Sequence, residues 1–159
     1  MTDFEFEAAV GRYADSVFRL AYSYLKSRAD AEDVMQETLL KLYVTKRPFE
    51  SAVHERNWVL RVTVNGCKKL LRTPWRCRTE PLEQLPETAV FDRTEQSELF
   101  QQVMDLPPKY RAAVYLYYYE GYDVRETADL MGANPSTVQT WLMRAREKLK
   151  TKLEEAEHL

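Results

Sequence analysis

The residues with the clearest chemical purpose in this chain follow Pro135. Ser136, Thr137, Gln139, Thr140, Met143, Arg144, Arg146 and Lys148 fall outside the positions that Val138 and Leu142 would turn inward on a helix. Hydroxyls and an amide come first and bases later; from Pro135 to Lys152 five bases stand against one acid, Glu147. Polar groups that reach base edges, followed by cations for phosphates, suit a helix lying in a major groove. The preceding residues supply the partner helix of a helix-turn-helix. Asp123 can cap it, with Glu126 at the reciprocal capping-box position. Ala128 is small where two helices must approach, and Gly132 suits a left-handed helix end. Asn134 can cap the second helix, with Pro135 in its first turn. The plainer alternative is a helical hairpin whose bases form a solvated face.

Two further clusters stand out. Arg61, Asn65, Lys68, Lys69 and Arg72 step along one region of a helix, offering phosphate-holding cations and an amide for a base edge. Asp33, Gln36 and Glu37 group on another helix, where acids near its start favour the helix dipole. Charge is segregated to match, although the 159 residues carry a net charge of only −2. Residues 1–44 hold eight acids and five bases, 45–78 nine bases and two acids, 79–108 seven acids and one base, and 109–159 eight of each. Two blocks could therefore face a polyanion, joined by an acidic strip that should avoid it.

The elements that must position these residues read as helices. Val10, Tyr13, Val17, Leu20 and Tyr24 form the stripe of a first helix. A second should start at Asp30, turn Val34, Met35, Leu39, Leu42 and Tyr43 inward, and end at Lys46-Arg47-Pro48. A third runs from about Glu55 to Arg72 with Trp58, Val62 and Leu70 among its apolar positions, and Trp58 is expected in the core. Periodicity then fails, and Pro74, Pro81 and Pro86 punctuate a linker. Residues 97–104 form a short helix, and another begins at Pro107-Pro108 and ends at Gly121. The fold class is all-α: two small helical domains joined by a linker, the second containing the helix-turn-helix. The expected bounds are 1–72, 73–94 and 95–159. Each half is near the size at which a lone core is marginal.

Composition excludes several function classes. No apolar run approaches the roughly 20 residues that span a bilayer. The acidic start MTDFEFEAAV is unlike a signal peptide, so a cytoplasmic chain without membrane insertion is expected. Cys67 and Cys77 fit neither a disulfide framework nor a zinc spacing, and only His54 and His158 could join them, so no metal or other cofactor is expected. With no glycine-rich phosphate loop and no nucleophile–base pair, an enzyme is the least favoured class.

In combination, the two halves resemble the extracytoplasmic-function sigma factors. Asp30-Ala-Glu-Asp-Val-Met-Gln-Glu-Thr-Leu-Leu-Lys-Leu-Tyr is similar to that family's polymerase-binding helix, and Asn57-Trp-Val-Leu-Arg-Val-Thr-Val-Asn to its promoter-melting helix. Leu106-Pro-Pro-Lys-Tyr-Arg, the helix-turn-helix and Arg144-Ala-Arg-Glu-Lys-Leu are similar to its C-terminal domain. The resemblance implies that Asp33, Gln36 and Glu37 dock on core RNA polymerase. It implies that Arg61, Asn65, Lys68, Lys69 and Arg72 meet the downstream promoter element, and that the Ser136–Lys148 set meets the upstream one. It also implies that the loop from about Lys46 to Glu55 captures a flipped base, with Phe49 as the better stacking candidate. An anti-sigma partner is implied as well, and the free chain is expected to be a monomer.

The sequence departs from the family at Leu39, where phenylalanine is usual, and at Lys69, where aspartate or asparagine is common. It departs again at Gln139 and Trp141, where bases are common; Trp141 falls at a position apolar in ordinary helix-turn-helix units and is expected to pack inward. Two other readings compete: a stand-alone helix-turn-helix regulator, and a sigma-like adaptor that binds polymerase without reading promoters.

Overall fold

The computed structural model describes residues 1–46, 48–73 and 98–157, with backbone alone for Glu98 and 152–157. The expected linker lies almost wholly outside the described residues. The chain divides into two compact units, Met1–Glu87 and Thr88–Leu159.

In the first unit, α1 (Asp3–Leu25) opens on a capping box between Thr2 and Glu5 and closes on Lys26, which takes a left-handed φ of 53°. Ser27 follows at once, buried, and its hydroxyl accepts from the Asp30 amide at 3.2 Å, so α2 (Arg28–Val44) starts earlier than the expected Asp30. Both residues are good cap formers; the tight turn at Lys26 selects the serine and leaves Asp30 in the first turn. The two helices run antiparallel, with Tyr43 donating to Asp3 Oδ1 at 2.9 Å and its ring edge-on to Phe6 at 4.8 Å. Ala31, Val34, Thr38, Leu39 and Leu42 face inward from α2, while Met35 and Tyr43 are only half-buried.

Helix α3 (Ala52–Leu71) begins at Ser51, whose hydroxyl accepts from the His54 amide. Its buried residues are Val59, Leu60, Thr63, Val64 and Cys67, whereas Trp58, Val62 and Leu70 are half-buried. Trp58, expected in the core, thus lies off it. The run Trp-Val-Leu-Arg-Val-Thr-Val is apolar enough to support two registers, and packing on α1 and α2 selects the one that turns Trp58 off the core. Glu55 fastens the start of α3 to α1: it accepts from the Tyr13 hydroxyl at 2.6 Å and lies 3.4 Å from Arg12. Burial, and then the hydrogen bond to Glu55, raises the Tyr13 phenol above its ordinary value.

The second unit opens with α4 (Glu98–Met104). Buried Leu106 precedes α5 (Pro108–Val114), and buried Arg111 reaches back to donate to the Leu106 carbonyl at 2.6 Å. Helix α5 passes directly into one wide turn, Tyr115–Tyr119, where the Glu120 amide reaches the Tyr115 carbonyl at 3.0 Å. It stops at Gly121, whose φ of 82° lets the Tyr122 amide return to the Leu116 carbonyl at 3.0 Å. The hydroxyl of Tyr115 donates to Glu120.

Helices α6 (Val124–Met131) and α7 (Pro135–Glu157) form the helix-turn-helix. Asp123 and Glu126 make both halves of a capping box, at 2.7 and 2.9 Å, and Gly132 ends α6 at φ 67°. Ala128 is 1% exposed, and Val138, Leu142 and Ala145 of α7 are buried. Among the described residues no helix is long and apolar enough to cross a membrane.

One buried group in this core has an unmet requirement. Thr127 is fully buried in α6, and its hydroxyl finds no hydrogen-bond partner among the described residues. Replacing that hydroxyl with a methyl removes a desolvated polar group at nearly constant shape. Thr127→Val is expected to stabilise the second unit by about 1 kcal/mol. The check is a higher denaturant midpoint at unchanged slope; a lower midpoint contradicts the account.

Candidate nucleic-acid interface

Because α3 buries Val59, Leu60, Val64 and Cys67, its 3.6-residue period directs His54, Trp58, Arg61, Asn65, Lys68, Lys69 and Arg72 to the other side. The five expected nucleic-acid residues therefore share one stripe. Asn65, Lys69 and Arg72 are exposed, and Arg61 and Lys68 are half-buried, their stems covering apolar surface. From His54 to Arg72 the stripe runs about 27 Å along the helix.

The stripe begins against an aromatic cradle. Phe49, in the loop before α3, packs at 5.4 Å edge-on to His54 and at 5.5 Å to Trp58. His54 Nδ1 accepts from the Glu50 amide at 3.0 Å, tying the loop to the first turn of α3. All three aromatic residues are half-buried. Trp58 is thus neither a core residue nor free of contacts, and Phe49 is less exposed than expected. His54 was missed; one histidine beside a loop carries no sequence signal, and only its hydrogen bond reveals the role.

On α2, Asp33, Gln36 and Glu37 are all exposed on one side. The same side continues through Leu40, 58% exposed, and Val44, 63% exposed, at the three-, four- and seven-residue steps of one helical face. An acidic and amide patch running into exposed aliphatic residues suits a protein partner better than DNA, since neither part favours a polyanion. Spacing alone puts Leu40 and Val44 on this face, but an aliphatic side chain gives no sequence signal that it stays exposed.

The expected residues of α7 divide among three sectors. Ser136, Thr140 and Met143 lie opposite the buried Val138, Leu142 and Ala145, while Gln139 stands seven residues before Arg146 on the same side of the helix. Thr137, Arg144 and Lys148 follow along one flank with Trp141, which is half-buried rather than packed fully inward. Arg146 occupies the other flank, where it donates to the Tyr118 hydroxyl at 2.7 Å. Thr140 donates to the Ser136 carbonyl at 3.1 Å, so toward a further partner its hydroxyl oxygen can only accept. Ser136, Gln139, Met143, Arg144, Arg146 and Lys148 are exposed, and Thr137 and Thr140 are half-buried.

Comparison with known proteins agrees with this geometry. The Sigma-70 region 2 family matches residues 9–77 and the Sigma-70, region 4 family residues 97–149. The chain is 32% identical over 157 residues to the RNA polymerase sigma-E factor of Streptomyces coelicolor, covering 94% of this chain and 86% of that protein. It is 31% identical over 150 residues to the ECF RNA polymerase sigma factor SigM of Mycobacterium tuberculosis, covering 92% of this chain and 76% of that one. With the ECF RNA polymerase sigma factor SigE of Mycolicibacterium smegmatis it shares 30% identity over 151 residues; the match takes in 89% of this chain but 58% of that longer protein. Among solved structures, the sigma factor RpoE of Bartonella quintana, in complex with the anti-sigma factor NepR, has the same fold at a TM-score of 0.76 and 19% identity, over 94% of this chain and 97% of that one. An acidic helix, a basic helix and a helix-turn-helix in this order, with these relatives, place the chain in the extracytoplasmic-function family of RNA polymerase sigma factors.

Proposed function

We propose that the chain binds core RNA polymerase through α2, opens the downstream promoter element along α3, and reads the upstream element with α7. The observation that carries this reading is the division of chemistry among outward faces: acidic and aliphatic on α2, cationic beside an aromatic cradle on α3, and hydrogen-bonding then cationic on α7. Residues 1–72 act as the docking and melting domain, 73–94 as an acidic connector that threads through the polymerase, and 95–159 as the upstream-reading domain. The chain works in the cytoplasm as a monomer when free, needs no cofactor and catalyses nothing itself. The phosphoryl transfer belongs to the polymerase. An anti-sigma partner restrains it by covering these same faces.

Docking uses Asp33, Gln36 and Glu37, backed by the apolar Leu40 and Val44. Melting pairs phosphate contacts from Arg61, Lys68, Lys69 and Arg72 with Asn65 at a base edge. Extruding a base costs a few kcal/mol, and stacking on the aromatic group of Phe49, His54 and Trp58 offsets part of that. Upstream, Ser136, Thr137, Gln139, Thr140 and Met143 lie along the groove, Arg144 pairs with a guanine, and Arg146 and Lys148 hold phosphates.

Reversing charge on the docking face, as in Glu37→Lys, is expected to cut co-elution with core polymerase at least tenfold while the free chain melts unchanged. Unaltered co-elution contradicts the docking role. Arg144→Ala should cost about 1–3 kcal/mol on the preferred upstream sequence and little on others. Lys68→Ala should weaken binding on all sequences and flatten its salt dependence by about one unit of slope. Equal losses on all sequences for Arg144→Ala contradict base reading.

A further inference from the structure

Outside the recognition helix, Lys109 carries a charge that its own helix does not favour. Lys109 is the second residue of α5, exposed, in the turn where the helix dipole opposes a positive charge. Among the described residues it makes no ion pair. Its ammonium instead lies over the ring of Trp141, 5.8 Å from the centroid, within the range of a cation–π contact. Trp141 is held half-buried on the flank of α7 that also carries Thr137, Arg144 and Lys148. Trp141 stands three residues before Arg144 and seven before Lys148, so the ring holds the Lys109 charge on the flank of α7 that carries theirs.

We propose that Lys109 holds a DNA backbone phosphate at the edge of the groove occupied by α7, with Trp141 as the positioning residue. The inference rests on the reading of α7 as the DNA-facing helix and adds a contact from a different element. An ammonium is a compact charge without the planar fork that reads a base, so this contact is indifferent to sequence. It supplies charge at a flank where the helix itself presents an indole. A ring beneath the ammonium holds it near the surface while leaving its outer side hydrated and open to a phosphate oxygen.

The test uses the full chain and a mixed-sequence B-form duplex, with affinity measured across a salt series. Lys109→Gln is expected to weaken binding and make the slope of log K against log salt shallower by about 0.9, one phosphate contact. Lys109→Arg should keep the slope, because the charge remains. Trp141→Phe should keep it too, since a ring stays under the ammonium, whereas Trp141→Leu should reduce it only while Lys109 is present. Thermal melting of each variant separates these effects from misfolding. A folded Lys109→Gln chain with the parental slope overturns the inference and leaves the reading of α7 intact. A parental chain that binds the duplex with no salt dependence overturns both.

Discussion

Burial of one side of a helix determines what its other side can do, and both nucleic-acid faces here depend on that constraint. Val138, Leu142 and Ala145 must leave water for the second unit to have a core, and their spacing directs Ser136, Thr140 and Met143 outward together. Val59, Leu60, Val64 and Cys67 do the same for Arg61, Asn65 and Lys69 on α3. Shifting either helix by one residue would rotate about 100° of surface and scatter the cations. Core packing thus sets interface register without any contact to a ligand.

Units this small bury little surface, so their polar groups have to contribute to the fold. Glu55 satisfies Tyr13 at the α1–α3 seam and Arg111 satisfies the Leu106 carbonyl ahead of α5. Both are residues that a surface view would assign to solvent. The capping box at Asp123 fixes where α6 begins, and the left-handed Gly132 ends it and turns the chain toward α7. The wide turn at Tyr115–Tyr119 precedes them and brings Tyr118 within reach of Arg146 on the far side of the motif. The two flanks of α7 are therefore each braced by an aromatic contact involving a different element: Tyr118 with Arg146, and Lys109 with Trp141.

Much of this was legible in the sequence where the signal is local. The caps at Asp123 and Gly132, the stripe of α1 and the breaks at Pro107-Pro108 and Gly121 all follow from short-range backbone chemistry. The start of α2 was not, because Ser27 and Asp30 compete as caps and a left-handed Lys26 decides between them. The inward side of α3 was not either, since Trp58 to Val64 is apolar in two registers and only packing selects one. The wide turn leaves no trace in Tyr-Leu-Tyr-Tyr-Tyr. The contacts of His54 with Glu50, Arg146 with Tyr118 and Lys109 with Trp141 join residues whose relation depends on tertiary structure or loop conformation. The grouping of Asp33, Gln36 and Glu37 follows from spacing alone; their extension through Leu40 and Val44 needed the observed exposure.

The central claim is that one chain joins polymerase docking to two-part promoter reading. The most direct measurement is reconstitution of the purified chain with bacterial core RNA polymerase on a library of double-stranded fragments. The account predicts transcripts that start at a fixed distance from a shared two-part motif, and none from core enzyme alone. Failure to bind polymerase, with the free chain selecting a palindrome, would contradict it and make this a stand-alone regulator.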